Sequence, residues 1–551
     1  MKKVWLDEYD KGVPESINPD EYSSIADILE QTFDKYADRP SYSNFGTTLT
    51  YRELEVASLK FASYLQNELG LEKGARVALM MPNILQYPIC LFGILQAGMV
   101  AVNVNPLYTA RELEHQLKDS GAEAIVIFAN SAHVLEKVID QTPVKHAIIT
   151  EIGDFLQFPK NLVINFVLKR VKKVVPKYKI KNSLSLKHVV ANGNYRAFKK
   201  PSTNHEDIAF LQYTGGTTGV SKGAILTHKN IVSNLLQARA WIKDSLKEGT
   251  EVIITPLPLY HIFSLTANCL TFSSIGATNV LITNPRDMKA FVKEMKKWKF
   301  TAFTGVNTLF NGLLETPGFS DVDFSALKLS LGGGMAVQKS VADKWKQITG
   351  APLIEAYGLT ETSPAACMNP LSLKEFNGTV GLPISSTIIA IKDDEGGDLN
   401  FGERGEICIK GPQVMKGYWK REEETKKVMT DDGFFRTGDI GVMSEKGYVK
   451  IVDRKKDMIL VSGFNVYPNE IEDVISSHLG VFECAAVGVA DEKSGEAVKV
   501  FVVKKDPKLS EDELKKFCRE QLTGYKSPKY FEFRDELPKS NVGKILRKDL
   551  R

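Results

Sequence analysis

Several patterns that would define a specialised class of protein are missing from this 551-residue sequence. Its six cysteines are scattered and form no CxxC pair, which excludes the usual zinc-binding spacing and a disulfide framework. The first twenty residues contain no apolar segment of the kind found in a secretory signal. The longest uncharged stretch, residues 77–110, is interrupted by proline, glycine, asparagine and glutamine. We therefore interpret it as a buried strand–helix–strand unit and not as a membrane span.

A large excess of charge of one sign is also missing. The chain has 71 Lys and Arg against 67 Asp and Glu, and a net charge of +4 is too small to indicate a nucleic-acid partner. Hydrophobic residues make up 43% and charged residues 25%, the balance of a globular protein of several domains. We expect a cytoplasmic protein.

Acidic residues are absent from residues 155–205, although this stretch holds twelve Lys and Arg. Within it, apolar residues that include Ile164, Leu168 and Val171 recur at helical spacing, and Pro176 ends the pattern. A basic amphipathic helix is suited to an anionic membrane surface, with eight positive charges in residues 160–181. A surface helix that packs on its own protein, with solvated lysines, explains the same pattern.

The order of apolar segments predicts the fold. In residues 76–128, strand patterns alternate with helix patterns, which indicates βαβ units and a mostly parallel sheet. After residue 398, short strands separated by glycine turns are typical of antiparallel sheet. Beyond residue 453, strand and helix patterns form a unit of their own, with a helix at 511–521 opened by a capping box of Ser510 and Glu513.

A loop rich in glycine and threonine follows the strand predicted at residues 208–213 and is followed by a helix predicted from about His228. Such a loop can aim several backbone N–H groups at one anion, and a lysine adds a full positive charge. Its spacing is not that of a Walker A motif, and a flexible polar turn is the alternative explanation. We predict polyphosphate binding by Thr214, Gly215, Gly216, Thr217, Thr218, Gly219 and Lys222.

Further motifs follow in order along the chain: YGLTE at residues 357–361, RTGD at 436–439, DRKKD at 453–457 and Gly-Lys at 543–544. Together with the loop, they resemble the adenylate-forming superfamily of acyl-CoA synthetases, luciferases and peptide-synthetase adenylation domains. Residues 432–456 and 461–472 look most similar to bacterial long-chain fatty-acid–CoA ligases. The resemblance spans essentially the whole chain.

The resemblance implies an α/β fold in two domains. Residues 1–453 would form a large domain of several subdomains with mostly parallel sheets and a small β-barrel-like part. Residues 454–551 would form a small, mobile α+β domain that carries the adenylation lysine.

The resemblance also assigns the nucleotide site. Glu361 would hold Mg²⁺, which prefers oxygen ligands, Thr360 would donate to the α-phosphate, and Tyr357 would face adenine. Asp439 and Arg454 would contact the ribose. Backbone groups of Gly333, Gly334 and Met335 would bind adenine, in a loop where Met335 and Ala336 depart from the family's small residue and proline.

Lys544 would stabilise the negative charge that develops on the α-phosphate during attack, although its basic surroundings would also suit a solvated tail. Lys456 matches the hinge position, and Gly463 and Phe464 would line the CoA tunnel unless Gly463 serves only a turn. The predicted acyl pocket consists of His261, Phe263, Thr304, Gly305, Val306 and Leu309. His261 would be a wall or gate residue and not a catalytic base, because a carboxylic acid is already ionised at pH 7.

These features predict a ligase that converts a long-chain or medium-chain fatty acid, ATP and CoA into acyl-CoA, AMP and pyrophosphate through an acyl-adenylate. One alternative is a fatty acyl-AMP ligase that loads a carrier protein. The end of the chain soon after Lys544 leads us to expect no fused carrier domain. The other alternative is a catalytically silent fatty-acid-binding membrane protein. The expected partners are the three substrates and, through residues 160–181, the inner face of the cell membrane; no nucleic acid is expected, and a homodimer stays open.

Overall fold

The computed structural model describes residues 3–214, 221–491 and 494–551. The α-helices of this described chain are α1 (Ile25–Tyr36), α2 (Tyr51–Asn67), α3 (Gln86–Gln96), α4 (Ala110–Ser120), α5 (Ala132–Glu136), α6 (Lys160–Phe166), α7 (Leu186–Asn192), α8 (His228–Ile242), α9 (Ile262–Ser264), α10 (Met288–Met295), α11 (Asn307–Leu314), α12 (Lys339–Thr349), α13 (Glu422–Val428), α14 (Pro468–Ser476) and α15 (Glu511–Gln521). Wider helical turns extend α6 through Val167–Val171 and α9 through Leu265–Phe272.

The strands are β1 (Pro40–Asn44), β2 (Thr47–Thr50), β3 (Arg76–Met80), β4 (Val100–Asn103), β5 (Ala124–Phe128), β6 (His146–Thr150), β7 (Leu184–Ser185), β8 (Ile208–Thr214), β9 (Lys222–Thr227), β10 (Val252–Thr255), β11 (Thr278–Leu281), β12 (Ala302–Gly305), β13 (Leu329–Gly333), β14 (Leu353–Gly358), β15 (Ala365–Met368), β16 (Leu382–Pro383), β17 (Ile388–Lys392), β18 (Gly405–Lys410), β19 (Gly417–Tyr418), β20 (Phe435–Met443), β21 (Val449–Arg454), β22 (Ile459–Val461), β23 (Phe464–Val466), β24 (Val481–Asp491), β25 (Gly495–Lys504) and β26 (Tyr530–Arg534).

Two large sheets of mostly parallel strands form the first part of the chain. In the described residues, the first sheet has the order β19-β9-β8-β4-β3-β5-β6-β7, parallel from β8 to β7. The second has the order β16-β15-β14-β13-β12-β10-β11-β1-β2, parallel from β14 to β1. Antiparallel strands close the edges. The parallel strands, such as β3, β4 and β5, are apolar and buried on both faces, so helices must cover both faces of the sheet. The alternation of strands and helices along the sequence supplies these helices.

Local chemistry sets the ends of the helices. Helix α4 begins with a capping box between Thr109 and Glu112 and ends at Gly121, whose φ of +68° is a left-handed conformation that glycine adopts without strain. Helix α15 shows only half of the predicted capping box: Ser510 accepts from the Glu513 amide at 3.2 Å. No reciprocal bond from Glu513 is among the contacts of the described residues.

The later strands form smaller antiparallel arrangements. Strands β17, β18, β20 and β21 form one antiparallel sheet, and the small β-barrel-like part stays a prediction. Beyond it, β22–β26 form a sheet that packs with α14 and α15 around a hydrophobic core of its own. The prediction of an α/β fold with a smaller α+β C-terminal part is confirmed. The boundary after residue 453 falls near the end of β21 and stays a prediction.

Several strands were missing from the sequence-based prediction, and one of them, β9, lies at the predicted phosphate site. The loop was expected to lead directly into α8, but β9 intervenes and pairs antiparallel with β8 from Lys222 opposite Thr214 to Thr227 opposite Ile208. Lys222 therefore lies at the start of a strand, fixed beside the end of β8. Within the described ranges, no helix is both long enough and apolar enough to cross a membrane.

Candidate active site

A large cleft lies where the carboxyl ends of the parallel strands meet the C-terminal part of the chain. Its volume is about 2190 Å³, and its walls include the ends of β8, β13 and β14 together with the turn that contains Lys544. Ligands of open parallel sheets bind at this edge, because the loops there converge and the strands end. The cleft is large enough for a nucleotide and part of a second substrate.

The predicted ribose corner is organised around Asp439. Its strand β20 pairs with β21 so that Asp439 lies opposite Arg454. The Arg454 Nε is 2.9 Å from Asp439 Oδ1, and the Tyr357 hydroxyl donates to Asp439 Oδ2 at 2.6 Å. Burial, and then the Asp439 charge, raise the pKa of Tyr357 well above its usual value, so Tyr357 stays a hydrogen-bond donor. The carboxylate is thus fixed in place on the cleft wall.

Tyr418 connects two groups that were predicted from motifs far apart in the sequence. Its hydroxyl donates to Glu361 Oε1 at 2.7 Å, and its ring lies beneath the Lys222 ammonium, with Nζ 5.3 Å from the ring centroid. The pairing of β19 with β9 brings Tyr418 to Lys222. Lys222 also forms an ion pair with Glu424, which holds the pKa of Glu424 at about 2, with Lys427 adding to the effect. Tyr418 and Glu424 carried no sequence signal, since the pairing of β19 with β9 brings Tyr418 here and Glu424 lies in α13, which follows β19.

The phosphate loop itself can be described only at its two ends. Ser221 Oγ donates to the Thr214 carbonyl at 2.7 Å, and Thr214 Oγ1 donates to the Lys222 carbonyl at 3.4 Å. These bonds hold the two ends of the loop together at the cleft. The predicted phosphate ligands Gly215, Gly216, Thr217, Thr218 and Gly219 lie outside the described residues.

Glu361 is the residue best suited to hold a metal. It lies in a single helical turn with Thr360 on the cleft wall, its carboxylate is buried, and burial raises its pKa. Among the described residues, no group of three or more His, Cys, Asp or Glu side chains converges to hold a metal ion without other ligands. This arrangement fits Mg²⁺, which takes one or two carboxylates and completes its shell with water and substrate phosphates.

Lys544 reaches the cleft from the C-terminal part. The carbonyl of the neighbouring Gly543 accepts a hydrogen bond from Thr308 Oγ1 at 2.9 Å. The Lys544 Cε lies 3.4 Å from the position that a Cβ would take on Gly334. Burial, followed by the charge of Arg454, lowers the pKa of Lys544 to about 8, while Asp439 and Glu361 oppose the shift. Lys544 therefore lies close enough to Arg454, Asp439 and Glu361 for their charges to affect its pKa.

The predicted adenine loop follows β13 directly. Gly333, Gly334 and Met335 all line the cleft. A side chain on Gly333 would come within 3.2 Å of the Phe263 ring, and Gly334 has a φ of +77°. The two glycines therefore permit close packing and a left-handed turn at this point.

The predicted acyl-pocket residues divide into two groups. His261 and Phe263 line the cleft. Burial, and then the Lys544 charge, lower the pKa of His261 to about 3, so His261 is neutral at pH 7, as a wall residue would be. The other four are buried inside the protein and are not among the described residues that line the cleft: Thr304, Gly305, Val306 and Leu309.

Each of these four buried residues contacts other residues inside the protein. The Thr304 hydroxyl donates to Asn268 Oδ1 at 3.0 Å, and a Cβ on Gly305 would lie 2.9 Å from the Phe310 ring. Val306 and Leu309 belong to the same hydrophobic core as Phe310. In this structure Gly305 makes room for an aromatic ring of the protein, and its role in passing an acyl chain stays a prediction.

The predicted CoA-tunnel residues lie at a distance from this cleft. Gly463 and Phe464 are at the β22–β23 hairpin, where Ser462 and Gly463 have φ values of 51° and +85°. Positive φ at both central residues is the backbone of a tight two-residue hairpin turn, so the turn alone accounts for the glycine. Phe464 is exposed and stacks on Tyr525 at 4.7 Å between ring centroids. Lys456, the predicted hinge, lies in the turn between β21 and β22.

Comparisons with known proteins agree with this architecture. Residues 29–419 match the family model of the AMP-binding enzyme, and residues 470–544 match that of the AMP-binding enzyme C-terminal domain. The chain therefore belongs to the AMP-binding enzyme family, and the resemblance to the adenylate-forming superfamily is confirmed.

Individual relatives and a solved structure show in more detail what the chain is similar to. The chain is 58% identical over 551 residues to a long-chain-fatty-acid–CoA ligase of Escherichia coli O6:H1, covering 100% of this chain and 98% of the relative. A long-chain-fatty-acid–CoA ligase of Bacillus subtilis is 39% identical over 552 residues, with the same coverage. The crystal structure of ATP-bound MatB from Rhodopseudomonas palustris is similar with a TM-score of 0.80 and 29% identity, covering 96% of this chain and 98% of that one.

Proposed function

We propose that this protein is a long-chain fatty-acid–CoA ligase that works in two steps. In the first, a fatty-acid carboxylate oxygen attacks the α-phosphorus of ATP, and pyrophosphate leaves. In the second, the thiol sulfur of CoA attacks the acyl carbonyl, AMP leaves, and the thiol proton is released. The observation that carries the proposal is the position of Lys544 in the same cleft as Glu361, Asp439 and Arg454.

In the first step, the residues of the cleft would bind and orient ATP. Asp439 and Arg454 would hold the ribose, Tyr357 would contact adenine, and Lys222 would bind the leaving phosphates in place of its partner Glu424. Lys544 would stabilise the charge that develops on the α-phosphate, where a desolvated ammonium favours the transition state over the ground state. Glu361 would hold Mg²⁺, whose charge would offset that of the phosphates.

The test is a product assay with the purified chain, ATP, Mg²⁺, CoA and saturated acids of increasing length. We expect acyl-CoA, AMP and pyrophosphate in equal amounts, with the highest kcat/KM on long-chain acids. Acyl-adenylate that accumulates in the presence of CoA would identify a ligase that loads a carrier protein instead. No turnover with any acid would support the silent fatty-acid-binding protein.

We further propose that residues 158–177 attach the enzyme to an anionic membrane surface. Phe158, in the turn before α6, and Leu162 and Phe166, within α6, are 79%, 60% and 62% exposed, and they are four residues apart in the sequence. The apolar face differs from the predicted one: Ile164 packs against the protein core, and the Gly153 amide donates to Asn165 Oδ1 at 2.8 Å. These inward contacts hold the helix with Leu162 and Phe166 outward.

Basic residues surround this apolar face. Arg170, Lys172, Lys173 and Lys177 are exposed, while Lys169 forms an ion pair with Glu151 of the protein. Each basic side chain near an anionic surface contributes about 1 kcal/mol, and apolar side chains that insert into the interface add to it. Poorly soluble acids would then be collected where they are most concentrated.

A further inference from the structure

Asp453 lies at the junction between the main part of the chain and the C-terminal part, where it is fully buried. Its carboxylate contacts groups from beyond the junction. The backbone N–H of Asn469, in the first turn of α14, donates to Asp453 Oδ2 at 2.8 Å. The Arg547 Nη1 is 3.7 Å from Asp453 Oδ1. One carboxylate thus binds two separate segments of the C-terminal part.

Arg547 extends these contacts. Its guanidinium forms a two-bonded ion pair with Glu472, Nε to Oε1 at 3.1 Å and Nη2 to Oε2 at 2.8 Å. Nη2 also donates to Asn469 Oδ1 at 2.7 Å, and Nη1 is 3.5 Å from Asp457 Oδ2. The planar fork of arginine can serve several acceptors at fixed angles, which lysine cannot do. Arg547 therefore ties α14 to the segment that follows β21.

Arg547 is also three residues after Lys544. The two are joined by a short hairpin in which Ser540 N donates to the Lys544 carbonyl at 2.7 Å and Leu546 N donates to the Pro538 carbonyl at 2.8 Å. A displacement of Arg547 is therefore transmitted to Lys544 through a well-bonded segment. The hairpin tip is held at its other end by Thr308.

We propose that Asp453 and Arg547 form a clamp that positions Lys544 in the cleft. They are positioning residues, because their side chains contact α14 and the junction, and they act through the lysine. The clamp rests on the proposed function insofar as Lys544 serves the adenylation step. The clamp adds a requirement that the sequence motifs do not indicate. The contact between Asp453 and Arg547 must be intact for Lys544 to reach the nucleotide.

The clamp is tested by a double-mutant cycle on single-turnover adenylation, measured as pyrophosphate release. Loss of hydrogen bonds to a buried charge predicts that Asp453→Ala slows adenylation about tenfold or more. In the Lys544→Ala background, the same substitution should change the rate by less than about twofold, because there is no lysine left to position. Arg547→Lys should behave like Asp453→Ala.

A control variant separates the clamp from general damage to the C-terminal part. Arg534 pairs with Glu532 within that part, with Nε 2.8 Å from Oε1, and Arg534→Gln should leave adenylation unchanged. Equal slowing by Asp453→Ala in both backgrounds would overturn the clamp, because the effect would then not pass through Lys544.

A second measurement does not depend on catalysis. All six cysteines are buried, so cysteines introduced at the exposed Lys293 and Lys516 can be labelled selectively for energy transfer between the two parts of the chain. We expect one dominant distance in the parent protein and a broader or shifted distribution in Asp453→Ala. An unchanged distribution would overturn the clamp even if the proposed ligase activity were absent.

Discussion

Thr308 and Gly543 join the main and C-terminal parts of the chain at the edge of the cleft. The Thr308 hydroxyl, in the first turn of α11, donates to the Gly543 carbonyl at 2.9 Å, one residue before Lys544. A second bond from the same helix supports it: Asn311 Nδ2 donates to the Phe482 carbonyl at 2.9 Å. Helix α11 is therefore the docking surface for the segment that carries Lys544.

Removal of this hydroxyl should weaken the docking and leave the predicted nucleotide-binding residues unchanged. Thr308→Val keeps the shape of the side chain and loses one hydrogen bond, which contributes about 1 kcal/mol. We expect adenylation to slow about fivefold. Acyl-CoA formation from supplied acyl-adenylate should keep its rate. A stopped-flow comparison of the two steps checks this, and equal loss in both would contradict the docking role.

The pKa of Lys544 makes adenylation depend on pH. Burial lowers this pKa to about 8, and the lysine supports the reaction only in its protonated form. The rate should therefore be constant below about pH 7 and fall as the pH rises through 8. Lys544→Arg stays charged over this range, so its smaller rate should show no fall near pH 8. A parent profile that is flat to pH 9.5 would contradict the assignment.

The sequence predicted much of the scaffold for a physical reason. In residues 76–128 the strands are mostly apolar and α4 begins with a capping box and ends at a glycine, so local patterns and the final structure agree. Strand β9 was missed because its sequence, KGAILT, is weakly patterned, and its pairing with β8 and β19 defines it. Tyr418 and Arg547 act through partners 57 and 75 residues away, respectively, which no local pattern reveals.

The predictions for Gly305 and for α6 also depended on contacts that local sequence patterns do not reveal. Gly305, the last residue of β12, was predicted to let an acyl chain pass; the structure places the Phe310 ring of the next helix against it, and passage of the chain stays a prediction. In α6, helical spacing predicted an apolar face that includes Ile164. In the structure Ile164 faces inward, whereas Leu162 and Phe166, which were not part of the predicted face, are exposed. Packing decides these orientations, and it depends on the whole fold.

Glu361 should determine how much Mg²⁺ the enzyme requires. Glu361→Gln keeps the acceptor for the Tyr418 hydroxyl but removes the negative charge. Changes next to a metal ligand cost 10- to 100-fold in affinity, so loss of the ligand itself should raise the Mg²⁺ concentration for half-maximal adenylation by about tenfold or more. A magnesium titration checks this. An unchanged requirement would show that Mg²⁺ is held elsewhere.

The basic segment, residues 158–177, should determine vesicle binding. Neutralisation of Arg170, Lys172, Lys173 and Lys177 to glutamine should abolish most co-sedimentation with anionic vesicles at low salt and leave binding to zwitterionic vesicles little changed. Lys169 is left in place because it pairs with Glu151. Activity on a short, soluble acid should persist.

The matched control neutralises four exposed lysines elsewhere on the surface, Lys289, Lys293, Lys299 and Lys508. This variant has the same net charge and should sediment like the parent. If both variants lost binding equally, total charge would explain it, and the helix would be an ordinary surface helix.

The separate measurement of the two half-reactions in Lys544→Ala tests the central claim most directly. Loss of one preorganised charge in a desolvated site lowers the rate of its step by about 100-fold or more. Pyrophosphate release from acid and ATP should fall by that amount, while acyl-CoA formation from supplied acyl-adenylate and CoA should remain within about twofold of the parent. Equal loss in both half-reactions, or normal pyrophosphate release, would contradict the account.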